Sequence, residues 1–373
     1  MRFWFGRRRF LLVSAVTLAG LALFETQTRA RRRGILTLCY VNRSGARSSG
    51  VMHLDLDVGK ATNIETATDV HDISFRAEER NCGVGANKSG RNITCFDFQA
   101  GVIDKVHEVP GRYFLLGHMV YSDDGRFLVA TAVDTTRPKT HASKNSLLVL
   151  NPLNFEIEKI ISLPYCEIPQ HDCRFLPNSH TLVTTGGHEI AHVDVASGIV
   201  RAATVPNLAS KTVIRHFGLH ESGRLAVQAN AISDFNTPEW KYGDGQIVLA
   251  ELTPERERRI QIPDRLRSEF DREILDLCFE PSGTFFAVSL NRGHEVTFWN
   301  FARGEMIAVI KFEDEVRRIA SSRDGEHFVV VTGRGLRYVS TANFTHDSSL
   351  DQFDEIFAET FQPEPYWAHA RII

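Results

Sequence analysis

Short apolar runs alternate with polar turns along most of this chain, and they recur in a fixed order. Each copy has a polar opening residue, a brief apolar strand, a turn rich in Asp, Ser, Asn or Gly, and then a strongly apolar strand. His118 to Gly125 leads into Phe127 to Thr131, and His171 to Asn178 leads into Thr181 to Thr185. His216 to Gly223 leads into Leu225 to Gln228, Asp276 to Gly283 into Phe285 to Ser289, and Arg318 to Gly325 into Phe328 to Val331. A degenerate copy runs from His71 to Phe75 and on to Cys82 to Gly85. The turn residues are those that tolerate the backbone angles of tight hairpins. A third strand follows, as at Ser146 to Leu150 or Val296 to Trp299. A second turn, such as Val195 to Gly198 or Phe301 to Gly304, and a fourth strand, such as Lys159 to Leu163 or Met306 to Ile310, complete the unit.

Four antiparallel strands per repeat is the pattern of a β-propeller blade. Aligned on the turn, the opening residues are Asp72, His118, Asp172, His216, Asp276 and Arg318, separated by 46, 54, 44, 60 and 42 residues. Blades of roughly 40–50 residues are expected; long loops at Ile232 to Asp244 and Pro263 to Arg272 absorb the excess. At one end, Ile35 to Val41 and Met52 to Leu56 read as later strands of a blade. At the other, Trp367 to Ile373 reads as an inner strand opening at His369. Joined, these ends make one further blade and close the ring without a free sheet edge. The expectation is therefore an all-β, seven-bladed propeller of four-stranded antiparallel blades over residues 34–373, with six- or eight-bladed rings as alternatives. Ser348 to Thr360 reads as a short helix or an outer blade segment.

Residues 1–33 are set apart by composition. Arg7, Arg8, Phe10 and Leu11 match the twin-arginine export pattern, and an apolar stretch from Leu11 to Phe24 follows. That stretch is shorter than the ~20 residues a membrane-spanning helix needs. A twin-arginine signal and a periplasmic location are expected; a Sec-type signal or an uncleaved inner-membrane anchor stays open, because Thr28 to Ala30 is a poor cleavage site. The net charge of −3 gives no electrostatic footprint for nucleic acid, and the membrane enters only through the N-terminal segment. The 25 phenylalanines suit packing between sheets. None of the six cysteines forms CxxC or CxxCH, which argues against a zinc knuckle and a c-type haem. Cys82 and Cys95 flank a turn and read either as a hairpin disulfide or as two small buried residues. Cys166 and Cys173 are a weaker pair, and Cys39 and Cys278 read as packing residues.

The chain resembles a bacterial family of twin-arginine-exported, WD- and YVTN-repeat-like propellers of about this length. The residues that carry the resemblance are Arg7, Arg8, Phe10 and Leu11, His71 to Ile73, Gly117 and His118 with Ser122 to Arg126, Gln170 and His171 with Leu176 and Pro177, Arg215 and His216, and Trp367 to His369. The resemblance implies an exported propeller whose genes lie near iron-uptake or imelysin-like peptidase genes. It implies no activity.

The starts of propeller inner strands meet around the central channel. The repeat places His71, Asp72, His118, His171, Asp172, His216, Asp276, Arg318 and His369 there as candidate ligand-binding groups. Among these, His118, His171, His216 and His369 are the metal candidates, since imidazole with carboxylate suits iron, copper or zinc. The same groups can also serve as hydrogen-bonded locks between blades. Alternation along a strand puts His71 and Asp72 on opposite faces. His180, His188 and His192 read as a solvated rim, and Arg317 and Arg318 as an anion site or an ion pair. Glu255 to Arg259 and Arg265 to Arg272 are mixed-charge, solvated segments. No GxSxG, P-loop, strand-linked GxGxxG or HExxH occurs, so no catalytic residues are assigned. The leading expectation is an exported binding or scaffold module, in iron or other metal handling or with a periplasmic or membrane-associated protein partner. The alternative is a lactonase-like propeller hydrolase using the channel His and Asp groups.

Overall fold

The computed structural model describes residues 33–42, 49–76, 79–136, 145–163, 170–186, 189–204, 212–232, 242–252, 255–270, 276–290, 293–360 and 365–372. Residues 1–32 of the expected signal segment, most of the expected Ile232 to Asp244 loop, Cys166 and His188 lie outside them.

The fold is an all-β propeller built almost wholly from antiparallel hairpins. Five sheets stand as separate blades. One orders Pro365–Ile372, Ile35–Asn42, Ser49–Asp55 and Lys60–Thr66, so the last strand completes a sheet begun by the first. Three more four-stranded blades start at Cys173–Phe175, Thr212–Leu219 and Leu277–Phe279. The fifth has three strands, Val316–Ser321, His327–Thr332 and Leu336–Ser340.

The remaining strands, from Val70–Phe75 to Ile157–Ser162, form one eight-stranded sheet. It exists because the end of Cys82–Gly90 reaches past its own blade and pairs with Tyr113–Tyr121, through Lys88 with Leu116 and Gly90 with Leu115. The expected ring of seven separate four-stranded blades is thereby corrected to five separate blades and one continuous eight-stranded sheet. Repeat spacing reports where strands begin. It carries no information on whether a strand over-runs its turn and fuses with the next unit.

Burial explains the strand composition. The middle strands Leu128–Asp134 and Asn145–Leu150 are buried on both faces, which is why they read as continuous apolar runs. The outer strand Val102–Glu108 is largely exposed and mixes Asp and Lys with Val. Cores lie between sheets rather than within hairpins: Val129, Leu147 and Val149 pack on Phe175, Leu182 and Val193. Ala226 and Leu249 pack on Phe286, Val288 and Trp299. Leu36, Leu38 and Tyr40 pack on Val329, Val331 and Tyr338, which ties the closing blade to the three-stranded one. Each such Leu, Val or Phe side chain contributes roughly 1.5–3 kcal/mol when fully buried. Inter-sheet packing therefore holds the ring, and the turns set its register.

The repeated turn has a physical logic. Asp124 Oδ1 accepts from Ser122 Oγ (2.7 Å) and from the Arg126 amide (3.1 Å), while Gly125 takes φ +66°. Asp324 does the same with Ser322 Oγ (2.6 Å) and the Glu326 amide (3.0 Å). In both copies of Ser-x-Asp-Gly the Asp thus ties the turn together through its own Oδ1.

Two further expectations are resolved. Ser348–Leu350 and Asp354–Thr360 are helical, and Phe357 is buried on the blade that lacks a fourth strand. Cys82 and Cys95 are free thiols. Val84 stands opposite Cys95, and Cys82 opposite Asp97, so the two cysteines are diagonal neighbours rather than partners. A diagonal spacing of about 7–8 Å is too long for a disulfide. Burial pushes the Cys95 thiol up to about 11, which keeps it protonated and unreactive. Among the described residues, no helix is long and apolar enough to cross a membrane.

Candidate metal centre

The opening residues of the inner strands do converge. His71, Asp72, His118, His171, Asp172, His216, Asp276 and Arg318 are all buried, from 0% exposure for His118 and Arg318 to 8% for His171. The rings of His71 and His118 meet edge-on at 5.1 Å, and those of His118 and His171 at 4.7 Å. His71 and His171 are 5.6 Å apart, and His171 and His216 are 4.7 Å apart. These four imidazoles come from three different sheets and form one continuous cluster.

A backbone irregularity makes this possible. The register slips between Val70 and Asp72, where His71 is the extra residue. It slips again between Leu115 and Met119 beside His118, between Ile214 and Phe217 beside His216, and between Val316 and Arg318. At His171 and Asp172, the His171 amide donates to Thr185 O while the Thr185 amide donates to Asp172 O, both at 3.1 Å. Two residues thus face one across the ladder. A bulge of this kind re-aims a side chain. The expectation that His71 and Asp72 point opposite ways is therefore corrected: the His71 ring meets His118 edge-on, and Asp72 Oδ2 lies 3.5 Å from His118 Nδ1.

The second strand supports three of the opening residues from behind. Thr131 Oγ1 donates to His118 O (3.3 Å), Thr184 Oγ1 to Asp172 O (2.9 Å), and Ser289 Oγ to Asp276 O (3.3 Å). A hydroxyl at this repeat position gives the opening residue's carbonyl a side-chain donor, in addition to the Thr185 amide at Asp172 O and the Ser289 amide at Asp276 O.

His71, His118 and His171 each offer a ring nitrogen, and the three nitrogens lie within 4.8 Å of one another. That geometry suits one ion held by three imidazoles, with a position left for a further ligand. Burial first, and the nearby Lys88 charge second, hold the His71 imidazole well below its usual range. It is the neutral form that a metal requires. Around the cluster stand Asp172, which lies 3.6 Å from His118 Nδ1 and 3.3 Å from Arg174 Nη2, and Asp276. Burial pushes the Asp276 carboxyl up to about 6, against the pull of Arg318 and Arg174.

Not every expected residue joins the set of three. His216 touches the cluster through His171 but is 6.5 Å, ring to ring, from His118. His369 lies on Pro365–Ile372, a strand whose side chains are outside the description. Arg317 pairs with Glu315 at 2.5 Å. His180 Nε2 lies 2.9 Å from Asp124 Oδ2 and joins two sheets at the rim. Sequence reading placed His71 among the channel groups but not among the metal candidates. His71-Asp72 and His171-Asp172 share a dipeptide, the first inside Val70–Phe75 and the second just before Cys173–Phe175.

No protein-family model matches the chain, and no curated protein matches it. Among solved structures, its fold is similar to hydrazine synthase of Kuenenia stuttgartiensis, with a TM-score of 0.62 and 13% sequence identity over 80% of this chain and 92% of that one. At that identity the likeness concerns the fold alone.

Proposed function

We propose that this chain is a propeller binding module that holds a divalent transition-metal ion in its central channel, with iron, copper and zinc as the candidate ions. The observation that carries the reading is the convergence of ring nitrogens from His71, His118 and His171 within 4.8 Å. The propeller brings the starts of its inner strands together, but it does not require that three of them carry buried imidazoles with their ring nitrogens this close.

The proposed setting is the periplasm. Arg7, Arg8, Phe10 and Leu11 support twin-arginine export, which carries proteins already folded. Such a route permits metal loading before translocation, and it fits a role in iron or other metal handling beside a periplasmic or membrane-associated partner. Elemental analysis of protein purified after native export tests the reading. About one equivalent of iron, copper or zinc is expected, reduced in His118→Ala. Protein that carries none of the three, and takes up none on titration, would overturn it.

A further inference from the structure

We propose that Asp72 and Asp172 act together as positioning residues: they keep the ring proton of His118 on Nδ1 and so present Nε2 as the metal donor. This deepens the metal reading of the same site and rests on it.

The two aspartates occupy equivalent repeat positions on either side of the strand that bears His118. Each has one carboxylate oxygen tied down and the other turned to the same nitrogen. Asp72 Oδ1 accepts from the Ile73 amide at 2.9 Å, and Asp72 Oδ2 lies 3.5 Å from His118 Nδ1. Asp172 Oδ2 lies 3.3 Å from Arg174 Nη2, and Asp172 Oδ1 lies 3.6 Å from His118 Nδ1. Carboxyl oxygens are acceptors. A ring nitrogen facing one from each aspartate carries the proton, because an N–H there meets two acceptors where a lone pair would meet two further lone pairs. A neutral imidazole has one donor and one acceptor nitrogen, so the acceptor is Nε2. Separations of 3.5 and 3.6 Å exceed a formed hydrogen bond, so neither oxygen holds the ring alone and the two share it. Carboxylates behind a ligating histidine fix its tautomer and raise the basicity of the donor.

The test uses the full chain with 15N-labelled histidine. Long-range proton–nitrogen correlations of the metal-free protein at pH 8 report the tautomer of each ring, and His118 is identified by the signals lost in His118→Gln. A protonated Nδ1 with a bare Nε2 is expected. On addition of zinc, the Nε2 resonance moves and Nδ1 keeps its proton. A bare Nδ1, a ring protonated on both nitrogens, or zinc on Nδ1 overturns the proposal. In Asp72→Asn/Asp172→Asn, zinc affinity should fall by about 10–100-fold with the circular dichroism spectrum retained. Unchanged affinity in that variant also overturns it. If the double variant fails to fold, the wild-type tautomer still decides. If the wild-type chain binds neither zinc, iron nor copper, the metal reading fails, while the tautomer of the metal-free protein still judges the aspartates.

Discussion

The α-carbon of Gly117 packs against the ring of His71: a Cβ at Gly117 would lie 2.6 Å from His71 Cβ and 2.8 Å from its ring. Gly117 also holds φ +101°, which L side chains rarely adopt. The residue before His118 therefore sets the distance between two of the three proposed donors. Gly117→Ala must move His71 or the bulge. A loss of roughly 1–3 kcal/mol in urea unfolding is expected, with weaker metal binding beyond it. A variant of wild-type stability and affinity would show that this contact does not govern the cluster.

The donor set predicts a contrast between histidines that look alike in sequence. His71→Ala, His118→Ala and His171→Ala should each weaken zinc or copper binding by more than the ~10–100-fold typical of an outer partner. His216→Ala should stay within that range, since its ring touches only one side of the cluster. Competition titrations against a chromophoric chelator measure all four. Equal losses at all four positions would make His216 a ligand.

A pH effect is expected from a site outside the channel. His53 is 7% exposed, stacks on Phe98 at 4.2 Å, and sets Nδ1 3.0 Å from Thr37 Oγ1. Burial pushes its imidazole down to about 4. The folded state therefore prefers the neutral ring, whereas the unfolded chain protonates near 6.5. Stability from this residue is complete above about pH 6.5 and is lost as pH falls toward 4. At about 1.4 kcal/mol per pH unit, the upper bound of the loss is roughly 3 kcal/mol. His53→Phe keeps the stack and should flatten thermal stability between pH 6.5 and 4. An unchanged slope would place the acid sensitivity elsewhere.

Ring closure is expected to be indispensable. Removing residues 365–373 deletes the strand that pairs with Ile35–Asn42 and leaves that edge bare. Bare edges template association between chains. The truncated protein should melt at lower temperature and scatter light on concentration, as differential scanning fluorimetry and light scattering would register.

Much of this architecture was legible in the sequence because turn chemistry is local. Ser122 to Gly125 and Ser322 to Gly325 announce their hairpins unaided. The pairing of the terminal strands was legible because each end lacked the strands the other supplied. The fused eight-stranded sheet was not, since it depends on how far Lys88 to Gly90 run past a turn that looks ordinary. The burial of the opening residues followed from the repeat. Their true convergence did not, because a bulge adds one residue to one strand and leaves no compositional mark. His71 beside Asp72 illustrates the point: period-two alternation separates them, and the slip at Val70–Asp72 brings them to the same centre.

The pairing of Lys88 and Gly90 with Leu116 and Leu115 has a consequence for motion. Propeller blades ordinarily breathe against one another across side-chain seams, which open without breaking main-chain hydrogen bonds. Here one seam is stitched by backbone. The two units that carry His71 and His118 must swing as a single plate, so any widening of the channel is displaced to the seams at its two ends, one of them beside His171. Amide exchange should accordingly be slow across the stitched junction and faster at its neighbours.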